Sequence, residues 1–273
     1  MEAPGGNAAQ DADDVGLDQA LEALAAGDVE QALGHLEDVA PERGERWTTA
    51  THALTELGDF AGAEQALSNA RLRLGESHED VLSAEGRLRL VQWRLDEART
   101  LYARLDPELE GAPLLENLAL LADLDGDLVR ADELYARASA LDPEGPPPPP
   151  RLTPEEFEDV VAEAAAELPP QFQLALEETA VVIDPMPTPE IVGAPESGHP
   201  PDVLGLFVGT PLGERAGVQA PELPPTIFLF QRNLERASRT RDELRDEIRT
   251  TLFHELGHAL GFDEDGVDEL GLG

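Results

Sequence analysis

This chain has no cysteine and no lysine, aromatic residues make up only 4% of it, and no apolar run approaches the roughly 18 residues needed to span a membrane. Without cysteine there can be no disulfide framework, thiolate metal site or cysteine nucleophile, so any metal must be held by histidine and carboxylate. All 19 basic residues are arginine, set against 57 Asp and Glu in 273 residues, which gives a formal net charge of -38. Such an excess repels phosphate backbones and anionic membrane surfaces. It argues against nucleic acid and membrane as partners and favours basic partners or substrates. The stretch Met1 to Gly16 has neither the basic nor the apolar region of a secretory signal. A cytoplasmic protein is expected, with residues 1–14 a disordered acidic N-terminus.

Five consecutive prolines occupy positions 146–150. A run of this kind adopts an extended, stiff polyproline conformation, and the sequence pattern changes across it, so residues 144–152 read as a linker between two domains. Upstream, Asp28, Asp59, Arg94 and Asp127 recur at intervals of 31, 35 and 33 residues. Each is followed four residues later by an alanine: Ala32, Ala63, Ala98 and Ala131. Gly27, Gly58 and Gly126 precede three of these anchors, and Trp93 precedes the fourth. Each unit reads as a helix, a tight turn and a second helix capped by the anchor, with the small alanine letting the paired helices pack closely. The segment Leu101-Tyr102-Ala103-Arg104 returns as Leu134-Tyr135-Ala136-Arg137. Over residues 15–143 this pattern resembles the tetratricopeptide repeat, which implies an all-α solenoid that binds a protein partner on its concave face. Asp123, Asp125 and Asp127 lack the later ligands of a calcium loop and read as the acidic turn of the last repeat. His35, His52 and His78 read as ordinary helix residues.

The second half, 153–273, opens with a capping box, Thr153-Pro154-Glu155-Glu156, and a helix whose Phe157, Val160, Val161, Ala164, Ala165 and Leu168 share one face. Apolar runs at 180–183, 203–208 and 226–230 read as strands. Thr240 opens a final helix with a core stripe of Leu244, Ile248, Leu252, Leu256 and Ala259. Beside that stripe stands His254-Glu255-Leu256-Gly257-His258. Composition alone, with six His in the chain, would produce this pentad in about 2% of such sequences. On a helix, His254 and His258 fall one turn apart on the same face, where both can reach one zinc ion. Glu255 then stands next to the attacking water as general base.

The order of elements, a helix, a few strands and then a helix bearing the pentad, is that of a small zincin. The strand just before that helix, Ile227 to Phe230, is expected to form the edge beside the substrate cleft. Leu204-Gly205-Leu206-Phe207, Gly209-Thr210-Pro211-Leu212, Glu214-Arg215 and the helix ending Ala259-Leu260-Gly261 together resemble the minimal bacterial zincin-like metallopeptidase family over about residues 152–271. The resemblance implies an α+β domain with a small sheet, one zinc ion, and peptide or protein substrates. In that family the helix motif is followed by an acid, which implies Glu264 as third metal ligand here, with Asp263 and Glu269 as the other candidates. His199 and Arg215 are the residues that could stabilise an oxyanion. A second reading stays open, that of a non-catalytic interaction scaffold with a vestigial or structural metal site.

Overall fold

The structure is a computed structural model and describes residues 6–194, 198–211, 224–263 and 266. The chain divides into two compact units, residues 1–118 and 119–273. Among the described residues no helix is long and apolar enough to cross a membrane.

The first unit is built from helices α1 (Gly6–Ala25), α2 (Val29–Glu37), α3 (Gly44–Glu56), α4 (Phe60–Leu74), α5 (Glu79–Val91), α6 (Leu95–Tyr102) and α7 (Pro107–Glu110), ending within α8 (Ala112–Leu124). α1 packs on α2 and α3, α3 on α4 and α5, and α5 on α6, so successive hairpins stack on their neighbours. The turns form where the sequence places them. Gly27 and Gly58 take positive φ of 79° and 72°, and Trp93 takes 61° in the position the glycines hold elsewhere. Asp28 and Asp59 each accept a hydrogen bond from the backbone N–H three residues on. Ala32, Ala63 and Ala98 are fully buried, as close packing between paired helices requires. Tyr102 lies directly over Gly86, where any Cβ would collide with its ring.

Of the N-terminal segment expected to be disordered, residues 1–5 lie outside the described residues. Residues 6–14 belong to α1, where Asp13 accepts from the Ala40 N–H at 2.9 Å and Asp14 pairs with Arg43 at 2.9 Å. Acidic composition alone suggested disorder, but these acids have partners that lie 27 and 29 residues further along the chain.

The second unit contains the end of α8, α9 (Leu128–Leu141), α10 (Pro154–Ala166), α11 (Pro170–Glu177), β1 (Ala180–Asp184), α12 (Pro189–Val192), β2 (Gly205–Val208), β3 (Thr226–Phe230), α13 (Gln231–Ala237) and α14 (Arg241–Leu260). By contacts the chain divides within α8, so α9 and the prolines fall inside this unit. Within this unit Arg151, directly after the proline run, ties distant elements together. It pairs with Asp123 at 3.4 Å, Asp132 at 2.7 Å and Glu235 at 2.9 Å, and stacks over the Tyr135 ring. Glu235 is fully buried and also accepts from Arg232, the Gln231 amide and the Leu152 N–H. Asp123 takes the Tyr135 hydroxyl, so it is a buried tie and no part of a cation loop.

The core lies between α10, α11, the sheet and α14. Phe157, Val161, Ala164 and Leu168 meet Ile227, Leu229, Leu244, Ile248, Leu252 and Leu256. The α14 stripe is buried as its spacing predicts, and each such side chain removed from water contributes about 1.5–3 kcal/mol, which holds the helix firmly on the sheet. The Thr153 capping box is complete. At Thr240 only half forms, because the Glu243 carboxylate takes the Arg239 N–H.

The strand order is β1-β3-β2, with β1 parallel and β2 antiparallel to β3. The expected edge strand, Ile227 to Phe230, is therefore the central one, with partners on both sides, and it has no free edge for a peptide. Among the described residues the free edge belongs to β2. Proximity to the helix in sequence suggested β3, but strand order is set by pairing between distant segments.

Candidate active site

Three local features place the two histidines. The buried stripe of α14 sets the helix's rotation, so that His254 and His258 emerge beside it. Their Nε2 atoms lie 3.0 Å apart, with the rings at 81° to each other. The helix then ends at Gly261, whose φ of 97° is the left-handed conformation glycine adopts without strain. The Gly261 N–H donates to the His258 carbonyl and the Phe262 N–H to the Gly257 carbonyl, the reciprocal pair of a Schellman motif. This turn brings the Phe262 carbonyl to 3.0 Å from His258 Nδ1. A carbonyl can only accept, so Nδ1 carries the proton and the Nε2 of neutral His258 presents a lone pair towards His254.

These donors suit zinc. Two imidazole nitrogens at 2.0–2.1 Å in a tetrahedral shell lie about 3.3 Å apart, close to the spacing found. Among the described residues no third His, Asp or Glu completes a metal-holding group with them. Asp263 is exposed and its carboxylate caps the Gly266 N–H at 3.0 Å. Glu264 and Glu269 lie outside the described residues, as does Arg215.

Glu255 is 7% exposed, and its carboxylate accepts the Phe207 N–H at 2.6 Å. The geometry of β2 explains this contact. The Phe230 N–H donates to the Leu204 carbonyl, and in an antiparallel ladder bonded pairs alternate, so Gly205 and Phe207 turn their N–H and C=O groups to the free edge. Gly205 permits the strand to approach α14 closely: a Cβ there would stand 2.6 Å from Thr251 Cγ2 and 3.2 Å from Glu255 Cγ.

A cavity of about 370 Å³ opens between this edge and the histidines, lined by Phe207, His254, Glu255, His258 and His199 among others. His199, a candidate to stabilise an oxyanion, lines this cavity. It precedes a segment fixed by the fully buried Asn233, whose amide donates to the carbonyls of Pro201 at 3.0 Å and Val203 at 2.7 Å.

Residues 176–273 match the family described as zincin-like metallopeptidase. The matched segment includes β1, β2, β3, α14 and the histidine pair. No curated protein matches the chain.

Sequence reasoning missed two groups beside this candidate site, Glu247, which lines a cavity together with His254 and Glu255, and the Phe207 N–H. Glu247 is seven residues before His254, two turns along the same face of α14, and the helical period that found the histidines reaches it as well. The Phe207 N–H has no sequence signal, because every residue but proline carries the same group.

Proposed function

We infer that the second unit is a zinc-dependent peptidase. His254, His258 and Glu264 would hold one zinc ion, and Glu255 would act as general base. The observation that carries this reading is the convergence of the two Nε2 atoms at 3.0 Å beside a carboxylate that touches the free edge of β2. The match to zincin-like metallopeptidases over residues 176–273 supports it.

Zinc, when bound at such sites, polarises a carbonyl and lowers the pKa of water to about 7. The remaining steps fall to the chain. An extended peptide pairs with the outward N–H and C=O groups of Gly205 and Phe207 by strand addition. A substrate carbonyl that takes the Phe207 N–H displaces the Glu255 carboxylate. Glu255 accepts the proton of the attacking water and delivers it to the leaving amine. The Schellman turn at Gly261 holds His258 in the required tautomer throughout.

The layout that accompanies this reading is a tetratricopeptide-like interaction module over residues 15–143, the proline segment 144–152 and the catalytic domain 153–273. Arg151 ties the last helical hairpin to the catalytic part. A protein captured by the repeats would be delivered to the peptidase.

The test begins with zinc content after incubation with excess metal and desalting, and one ion per chain, lost in His258→Ala, is expected. Glu255→Gln should keep the zinc and lose peptide cleavage. A chain that retains no zinc removes the enzyme reading. Cleavage that survives Glu255→Gln removes the general base.

A further inference from the structure

From His254 the cleft continues along α14 towards its N-terminus, into a second cavity of about 250 Å³. α14 contributes Glu247, Thr250 and Thr251 to it, and Val203, Leu204 and Gly205 contribute from the strand side. His254 and Glu255 belong to both cavities, so this one opens beside the atoms that would perform the chemistry.

Apart from Glu255, Glu247 is the one carboxylate among its described lining residues. The arginines nearest in sequence are engaged elsewhere: Arg245 reaches Glu163 at 3.8 Å and Arg249 reaches Asp246 at 3.6 Å. Among the described residues no hydrogen bond or ion pair engages the Glu247 side chain. It is half-buried, and burial alone moves its carboxyl above the usual carboxylate range, with no neighbouring cation to oppose the shift. A carboxylate desolvated without a counter-ion is unfavourable, and a cation entering the cavity would relieve that cost.

A peptide on the free edge of β2 passes Gly205 with its side chains alternating between the two faces. The cavity at Gly205 therefore receives the side chain adjacent to the bond held at Glu255. Its walls, Val203, Leu204 and the methyl groups of Thr250 and Thr251, suit the aliphatic stem of a long side chain, and Glu247 suits a charged head. The chain's net charge of -38 draws cationic peptides to the surface at long range.

We propose that this cavity is the specificity pocket for a lysine or arginine side chain next to the scissile bond, with Glu247 as the residue that selects it. The proposal rests on the peptidase reading above.

The test uses the full zinc-loaded chain carrying Glu255→Gln, so that peptides persist. Fluorescent pools of N-acetylated eight-residue peptides are compared by anisotropy at 0.15 M salt. Each pool fixes either arginine or its neutral isostere citrulline at one position and is random elsewhere. At one position the arginine pool should bind about tenfold to a hundredfold more tightly, as one charge-assisted pair provides. Adding Glu247→Gln should bring the two pools to equal affinity. Non-specific attraction to an acidic protein survives that single change, so the loss identifies the pocket. Equal binding of both pools at every position, or a preference that survives Glu247→Gln, overturns the proposal. Cleavage by the otherwise unaltered chain is read separately. Glu247-dependent binding without cleavage removes only the peptidase reading, and cleavage without a Glu247-dependent preference removes only the pocket.

Discussion

Replacing Gly205 with alanine tests whether the close approach of β2 to α14 sets up the candidate site. The new Cβ would lie 2.6 Å from Thr251 Cγ2, 3.2 Å from Glu255 Cγ and 3.2 Å from the Phe228 carbonyl oxygen. Thr251 is β-branched, helical and 7% exposed, so its methyl has little room to rotate away, and the Phe228 oxygen belongs to the central strand. Relief has to come from β2, which must move by about 0.8 Å to restore a contact of 3.4 Å. Two effects oppose each other. Alanine in a strand is favoured over glycine by about 0.5–1 kcal/mol, whereas overpacking costs about 1–3 kcal/mol. The second is larger, and the variant should be less stable by about 0.5–2 kcal/mol. Displacement of β2 also lengthens the bond from the Phe207 N–H to Glu255, and an error near 1 Å in a reacting group can cost about a hundredfold in rate. The assays are amide exchange at Phe207, which should accelerate, and peptide cleavage, which should fall about tenfold or more. Thr251→Ser removes Cγ2 and keeps the hydroxyl, so in the double variant both properties should recover. Protection at Phe207 that is unchanged in Gly205→Ala, or a double variant no better than the single, would refute the argument.

Two further outcomes follow from buried charges. Glu235→Gln leaves Arg151 and Arg232 without their shared counter-ion and should destabilise the second unit by about 3–5 kcal/mol. Thermal unfolding by circular dichroism checks this, and a midpoint equal to that of the parent chain would contradict it. Burial, helped by Arg87 and opposed by Glu56, holds the His52 imidazole down to about 4 from 6.5. Between those values the unfolded chain binds a proton that the folded unit does not. The His52 contribution is thus fully present above pH 6.5 and is lost as pH falls towards 4, by at most about 3 kcal/mol. Urea midpoints at pH 7.5 and 4.5 should therefore fall further for the parent chain than for His52→Gln, and equal falls would count against the reasoning.

Much of this protein was legible in its sequence, because its cues are local. A helical period put Leu244, Ile248, Leu252 and Leu256 in the core and, on the same helix, His254 and His258 one turn apart. Capping chemistry placed Thr153 and Thr240 at helix starts, and Gly27, Gly58 and Gly126 marked turns that only a left-handed residue can make. Trp93 shows the limit of reading by residue type: it holds a positive φ because the hairpin around it requires one. Tertiary structure decided the rest. The placement of β3 between β1 and β2 joins segments that are far apart in the chain, so that β2 and not β3 presents its edge to Glu255. Arg151 draws the last hairpin to Glu235, 84 residues away. Spacing along one helix is fixed by the bonds of that helix, so it can be read from residues a few places apart. The order of strands and the burial of charges depend on which distant surfaces meet, and backbone groups such as the Phe207 N–H acquire a role only once they have met.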